Sequence, residues 1–278
     1  MTYTLYMNLM GGFGNVLFQY MYGYTIAKKY NLKLELYCPV NSRIYPAAYY
    51  FLKDYTILKK LPSNILRINE PNFCYTPIDY SQISKQCDLY VSGYFQSYKY
   101  SNEFFDEIKK NLFKTLEHKI SNVNNILNKL DLKTTICVHF RRTDYLKFAD
   151  VHHVIRDDSW YFKAVEKLLQ RLNLKKDEIK LIIFSDDIEY IKNHTLVTMY
   201  PSVIAEEYKL DTEEIFIWMS KCDHFIIPNS TYSLMAYYFR TKLDGKIVIP
   251  DKWFEKEGPF CKIDDLIEIT DNVIINSV

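Results

Sequence analysis

The sequence predicts an α/β protein made of two Rossmann-like halves, each a parallel sheet with crossover helices. Three observations predict this. The chain opens with TYTLYMNL, GGFGN, VLFQYMYGYTIAKKY and LKLELYC, which read as strand, turn, helix and strand, the order of a crossover unit. Strand-like and helix-like runs alternate again after residue 133. At 278 residues the chain is long enough for one large domain or two ordinary ones.

The elements follow in order. TYTLYMNL is rich in β-formers, and VLFQYMYGYTIAKKY carries apolar residues at helical spacing. Residues 41–90 are irregular and aromatic, while EFFDEIKKNLF and NVNNILNKL have a helical pattern. TTICVHF is a strand, and DDSWYFKAVEKLLQRL an amphipathic helix capped by Asp158 or Ser159. KLIIFS and a shorter LVTMY are strands. DTEEIFIWMSKC is a helix opened by the capping pair Asp211 and Glu214. HFIIP, NSTYSLMAYYFR and KIVIP complete the alternation as strand, helix and last strand. The halves join near residues 125–133, giving an N-terminal domain over 1–130 and a C-terminal domain over 131–278. A last helix of the second can pack back on the first.

Composition excludes several classes. A net charge of +1 is not that of a general nucleic-acid binder. No apolar run approaches the roughly 18 residues of a membrane helix, so no stable membrane anchor is expected. The N-terminus lacks the pattern of a signal peptide, and the expected location is the cytoplasm with Met1 retained. Cys38, Cys74, Cys87, Cys137, Cys222 and Cys261 form no C-x-x-C pair, which reads as reduced thiols. Cys222 with His224, and His152 with His153, supply no four-ligand set, so no metal is expected. The 25 tyrosines read as compositional drift rather than a sugar cleft.

Ligands of such sheets lie beyond the carboxyl ends of the strands. Four strand ends carry candidate residues. At residues 11–15, Gly12, Gly14 and Asn15 make either a plain glycine turn or a loop whose amides face an anion. In HFRRTD, strand alternation puts His139 and Arg141 on one side and Arg142 on the other. Arg142 then supports the loop or pairs with Asp144. Arginine's forked donors suit phosphate, and structural ion pairing is the plainer alternative. In FSDD, Asp187 suits a helix cap and Asp186 a ligand. In PNSTYS, the residues Asn229, Ser230, Thr231 and Ser233 offer more donors than a cap uses, which favours phosphate. Together they point to a nucleotide pyrophosphate. Without a P-loop lysine motif, a nucleotide-linked substrate is favoured over phosphoryl transfer.

GGFGNVLFQY, VHFRRTDY, IFSDD, MSKCDHFIIPNSTYS and IVIPDKWF, in this order, resemble the α-1,2-fucosyltransferases of glycosyltransferase family 11. The H-x-R-R-x-D element is also similar to that of α-1,6- and protein O-fucosyltransferases. The resemblance implies a GT-B-like fold, two Rossmann-like domains facing a central cleft, the N-terminal one on the acceptor side. It implies inverting, metal-independent transfer of L-fucose from GDP-β-L-fucose to the 2-hydroxyl of a terminal β-galactoside. It places Arg141 on the β-phosphate, His139 beside the nucleotide, Asn229 to Ser233 near phosphate, and Gly12, Gly14 and Asn15 at the reacting centre. Asp144 and Asp150 are candidate bases. Arg142 and Asp186 complete the expected donor set. The implied partners are GDP-fucose and a galactose-terminated glycan, with peripheral membrane contact if that glycan is lipid-linked. The chain departs from the family pattern at Val16, where glutamine is usual, and at Leu234 and Met235, where paired tryptophans are common. Val16 is expected to alter what the loop offers the acceptor or sugar, and the other two the packing beneath it. Rival readings are another donor or linkage on the same fold, or a nucleotide or glycan binder without turnover.

Overall fold

The computed structural model describes residues 2–39, 49–81, 87–150, 155, 157–255 and 262–278. His152, His153 and Cys261 lie outside these. Two units are present, Met1–Glu117 with Pro259–Glu268, and His118–Gly258 with Ile269–Val278.

In the first unit, β1 (Thr4–Asn8) leads to α1 (Phe13–Tyr30) and β2 (Lys33–Tyr37). The helix begins at Phe13 rather than at the expected Val16. Gly11 takes φ 76 and Gly12 is extended, so the chain turns within two residues and the helix starts early. Asn31 closes α1 in the left-handed conformation, its N–H donating to the Ala27 carbonyl. The stretch read as irregular contributes β3 (Ile57–Leu58), β4 (Leu66–Asn69) and β5 (Leu89–Ser92), ahead of α2 (Phe105–Thr115). Strands this short carry almost no periodicity, which is why the sequence does not announce them. The parallel sheet runs β3-β2-β1-β5-β4. Several tyrosines are plain core: Tyr22, Tyr80 and Tyr100 are buried, and the Tyr22 and Tyr80 hydroxyls meet at 3.0 Å.

The second unit begins with α3 (Glu117–Leu127), earlier than the join expected at 130. Its Lys119 pairs with Asp211 at 2.5 Å and Glu213 at 2.6 Å, and Asn122 donates to Glu214, which ties the helix to this unit. There follow β6 (Thr134–Phe140), α4 (Thr143–Lys147), α5 (Ser159–Leu172), β7 (Ile179–Ser185) and α6 (Ile188–Lys192). Next come α7 (Thr195–Met199), β8 (Ser202–Ile204), α8 (Thr212–Lys221), β9 (His224–Ile226), α9 (Thr231–Tyr238) and β10 (Ile247–Pro250). The expected strand LVTMY is instead α7. His194 caps it by accepting from Leu196 N–H, and Pro201 follows its end, where a helix cannot continue. Asp158 holds the N-cap position of α5, one of the two expected, but makes no side-chain cap bond; Asp157 accepts both the Ser159 N–H and hydroxyl. The Asp211–Glu214 capping box of α8 is present. α10 (Ile263–Leu266) groups with the first unit, where Asp265 pairs with Lys99 at 2.7 Å. A further strand, β11 (Val273–Asn276), follows the one expected to be last.

The second sheet is parallel and ordered β11-β10-β9-β6-β7-β8. The chain leaves β6 through β7 and β8 to one side, then returns to lay β9, β10 and β11 on the other. The topological switch point therefore lies between β6 and β9. In the first sheet it lies between β1 and β5, beside the glycine turn. In the second unit, Ile136, Val138 and Phe140 of β6 pack with Leu181 and Ile183 of β7 and with Trp160, Val165 and Leu168 of α5 in one apolar cluster. Because Leu168 is fully buried there, Leu168→Ala should cost about 3 kcal/mol of stability. An unchanged denaturation midpoint would contradict this packing.

Candidate functional site

Strand β6 is buried on both faces, as a central parallel strand must be. Alternation gives Ile136, Val138 and Phe140 to the α5 side and leaves His139 on the opposite one, against α9. His139 Nδ1 lies 2.8 Å from the Ser233 hydroxyl, and that hydroxyl lies 3.3 Å from the Ser230 carbonyl. Ser233 has one proton to give, and a carbonyl can only accept it. Where Ser233 gives that proton to the carbonyl, Nδ1 carries the imidazole hydrogen and Nε2 is the acceptor; where it gives it to Nδ1, Nε2 is the donor. Burial, with the Arg141 charge adding to it, pushes the imidazole down to about 3. It is neutral throughout the physiological range.

One residue past the strand, Arg141 Nη1 meets Asp186 at 2.9 Å and Nη2 meets Asp144 at 2.8 Å. Asp186 is the better-held acid. It accepts from Arg142 N–H at 2.9 Å and from the Thr143 hydroxyl at 2.6 Å, besides Arg141. Burial works to raise its pKa, but the Thr143 hydroxyl, Arg141 and the Arg142 amide outweigh it and hold the carboxyl below its ordinary range. Asp144 sits on the exposed side of the same guanidinium, with half its side chain in solvent.

Arg142 turns the other way. Its guanidinium lies 3.4 Å from the centre of the Tyr190 ring and its Nε 3.4 Å from Asp187. Tyr190 in turn donates to Asp158, which also meets His194 Nε2 at 3.3 Å. Of the two roles expected of Arg142, the structure shows the supporting one, and it is Arg141, not Arg142, that pairs with Asp144. Asp187 caps α6, accepting from Tyr190 N–H at 3.2 Å. Asp150 is exposed in the turn after α4, and the described contacts bring Asp144, not Asp150, to Arg141.

The loop between β9 and α9 completes this strand end. Asn229 donates to the Trp253 carbonyl at 2.9 Å, and its own carbonyl accepts from the Tyr145 hydroxyl at 2.8 Å. Ser233 is fully buried. Its hydroxyl bonds His139 Nδ1. Ser230 is the N-cap of α9 and makes no side-chain cap bond, leaving the first amides of that helix to other acceptors. The structure thus brings His139, Arg141, Asp186 and the 229–231 backbone to one switch point.

On the first unit, Gly12 caps α1 without a side-chain bond, while Gly14 is already helical and buried. Gly11 is the position that requires glycine. It has φ 76, and a Cβ there would come within 2.5 Å of Asn15 Nδ2. Gln19 secures the loop from below, accepting from Met10 N–H at 2.9 Å and donating to the Met10 carbonyl at 3.2 Å. Val16 is fully buried, so its departure from the family pattern affects the core rather than what the loop offers a ligand. Leu234 and Met235 are also fully buried.

Sequence reasoning missed Glu206, just beyond β8. It accepts from Ser185 N–H at 2.7 Å, and its other oxygen is buried without a hydrogen-bond partner. Burial is the main cause that raises it to about 7, with Asp186 adding to the effect.

The Glycosyl transferase family 11 model matches residues 67–265. The chain belongs to this family. An α-1,2-colitosyltransferase of Escherichia coli is 25% identical over 275 residues, covering 90% of this chain and 92% of its own length. The O-antigen biosynthesis glycosyltransferase WbnK of Escherichia coli is 32% identical over 142 residues, 47% of this chain and 45% of its own. Among solved structures, the Bradyrhizobium fucosyltransferase NodZ superimposes with a TM-score of 0.52 at 12% identity, covering 86% of this family 11 chain and 93% of NodZ. That likeness, together with the two parallel sheets, supports the GT-B-like fold class.

Glu206 offers a direct check on this strand end. A carboxyl whose folded pKa lies above its unfolded one favours folding while protonated. That contribution is present below the unfolded value of 4.5 and is lost as pH rises through about 7. Glu206→Gln, which mimics the protonated form, should therefore raise the melting temperature relative to the parent at pH 8 but not at pH 5. An equal shift at both pH values would refute the assignment.

Proposed function

We propose that this family 11 transferase moves a 6-deoxy-L-sugar, L-fucose first, from a GDP donor to the 2-hydroxyl of a terminal β-galactoside, with inversion. The observation that carries the reading is Arg141 at the β6–β9 switch point, beside an α9 N-terminus that has no side-chain cap bond. A diphosphate arriving there competes with two acids for Arg141. Its charge-assisted bonds are worth about 1.5–3 kcal/mol each, whereas a half-exposed ion pair such as Asp144's is worth roughly 0–1. Asp144 yields, and the three-fold-held Asp186 stays and keeps the guanidinium aimed.

Departure of GDP builds negative charge on the diphosphate. Arg141 and the helix amides are preorganised donors for that charge, so the reaction needs no metal. In the tautomer that leaves it an acceptor, His139 Nε2 suits an N–H edge of the base. Asp144, once it has released Arg141, is placed to take the proton of the attacking hydroxyl. NodZ, which shares the fold, is described as an α-1,6-fucosyltransferase co-crystallised with GDP; this supports a GDP donor and leaves the linkage to be argued from the family. The cytoplasmic setting is part of the same proposal.

A second reading comes from the relative that spans nearly the whole chain. It is a colitosyltransferase, and colitose is fucose without its 3-hydroxyl. The test is transfer from GDP-fucose and from GDP-colitose to lactose, each with and without EDTA, with the linkage read by NMR. The proposal expects an α-1,2-linked product that EDTA does not diminish. Transfer from GDP-colitose alone replaces the first reading with the second. No transfer from either donor, or a reaction that EDTA stops, overturns the mechanism.

A further inference from the structure

The segment after β5, Gly93-Tyr94-Phe95-Gln96-Ser97, sits at the first unit's own switch point, beside the glycine turn that follows β1. Its backbone is held in an uncommon shape. Phe95 has φ 50, the left-handed region that an aromatic residue rarely enters. Glu70 fixes this conformation, accepting from Tyr94 N–H at 2.7 Å and Phe95 N–H at 3.0 Å. Gly93 admits that carboxylate, because a Cβ there would overlap Glu70. Phe95 itself is fully buried and stacked on Tyr22 at 3.8 Å. On the far side, the Ser97 hydroxyl donates to the Asp265 carbonyl. Strain of this kind persists only where its surroundings over-determine it.

Its effect is to present Gln96, which is 8% exposed, to the glycine turn. Gln96 Nε2 donates to Asn15 Oδ1 at 2.9 Å. A donor on its oxygen fixes which way round the Asn15 carboxamide lies, with Nδ2 against Gly11. Nearby, at the end of β1, Asn8 donates to the Ser92 hydroxyl at 3.0 Å, while its own Oδ1 is buried with no hydrogen-bond partner. Asn8 and Asn15 thus stand at the end of β1 and in the first turn of the helix that follows it.

We propose that Gln96 is a positioning residue: held by the Glu70-clamped loop, it fixes which end of the Asn15 carboxamide the first unit presents to an acceptor sugar. As a statement about catalysis this rests on the transferase reading above. As a statement about the carboxamide it does not.

The test is Gln96→Glu, with Gln96→Met as the control for packing. An ionised carboxylate only accepts, so it turns the Asn15 amide round. Selective ¹⁵N-asparagine labelling reads this directly, the Asn15 side-chain pair being identified by its loss in Asn15→Asp. We expect that pair to move in Gln96→Glu. We also expect kcat to fall by about 10- to 100-fold while GDP affinity is unchanged. The deficit should shrink as pH falls towards the introduced carboxyl's pKa, because the protonated group donates again. An unmoved Asn15 pair, or a Gln96→Glu enzyme with the wild-type kcat, overturns the proposal. If the wild type transfers neither sugar, the reading of the reaction fails, and the amide spectrum still decides the role of Gln96.

Discussion

The site on the second unit depends on one carboxylate. Asp186, at the end of β7, accepts from the Arg141 guanidinium, the Arg142 amide and the Thr143 hydroxyl, three successive residues of the neighbouring β6 loop. A guanidinium on a flexible stem loses about 2 kcal/mol of rotamer entropy when it is fixed. Asp186 imposes that order before any ligand arrives. The cost of orienting that guanidinium is thereby met in folding, the preorganisation that the proposed phosphate role calls for.

Around it the doubled arginine resolves into two tasks. Arg141 faces the switch point with one firm and one yielding acid. Arg142 is turned away onto Tyr190 and Asp187, and Tyr190, Asp158 and His194 continue that network behind the loop. His139 and Ser233 show the same division. The serine is buried and holds the imidazole at Nδ1, and the imidazole is left neutral. The glycine loop of the first unit is held in the same manner, by Gln19 from below and Gln96 from the side.

Much of this was legible in the sequence. The alternation of β-runs and helices marks the parallel sheets, and pleating sets His139 opposite Val138 and Phe140, whereas Arg142, past the strand end, is turned by Tyr190 and Asp187. The capping roles of Asp187 and Asp211 follow from local chemistry. What escaped depends on contacts distant in sequence. Nothing local in FSDD says that Asp186 will close on a loop 44 residues away. Glu70 becomes a clamp only because β4 lies beside β5, a pairing of strands too short to show a pattern. The bond between Ser233 and His139 likewise joins residues 94 positions apart. LVTMY reads as a strand because a five-residue apolar run does not distinguish one helical turn from an extended segment.

The central claim is that Arg141 is the phosphate ligand that Asp186 keeps aimed. Calorimetric affinities of the wild type and of Arg141→Ala for GDP and GMP test it most directly, because these ligands differ only in the second phosphate. The account predicts that the wild type prefers GDP by about tenfold or more, and that the preference vanishes in Arg141→Ala while GMP binding is little changed. A preference for GDP that survives the loss of Arg141 would contradict it.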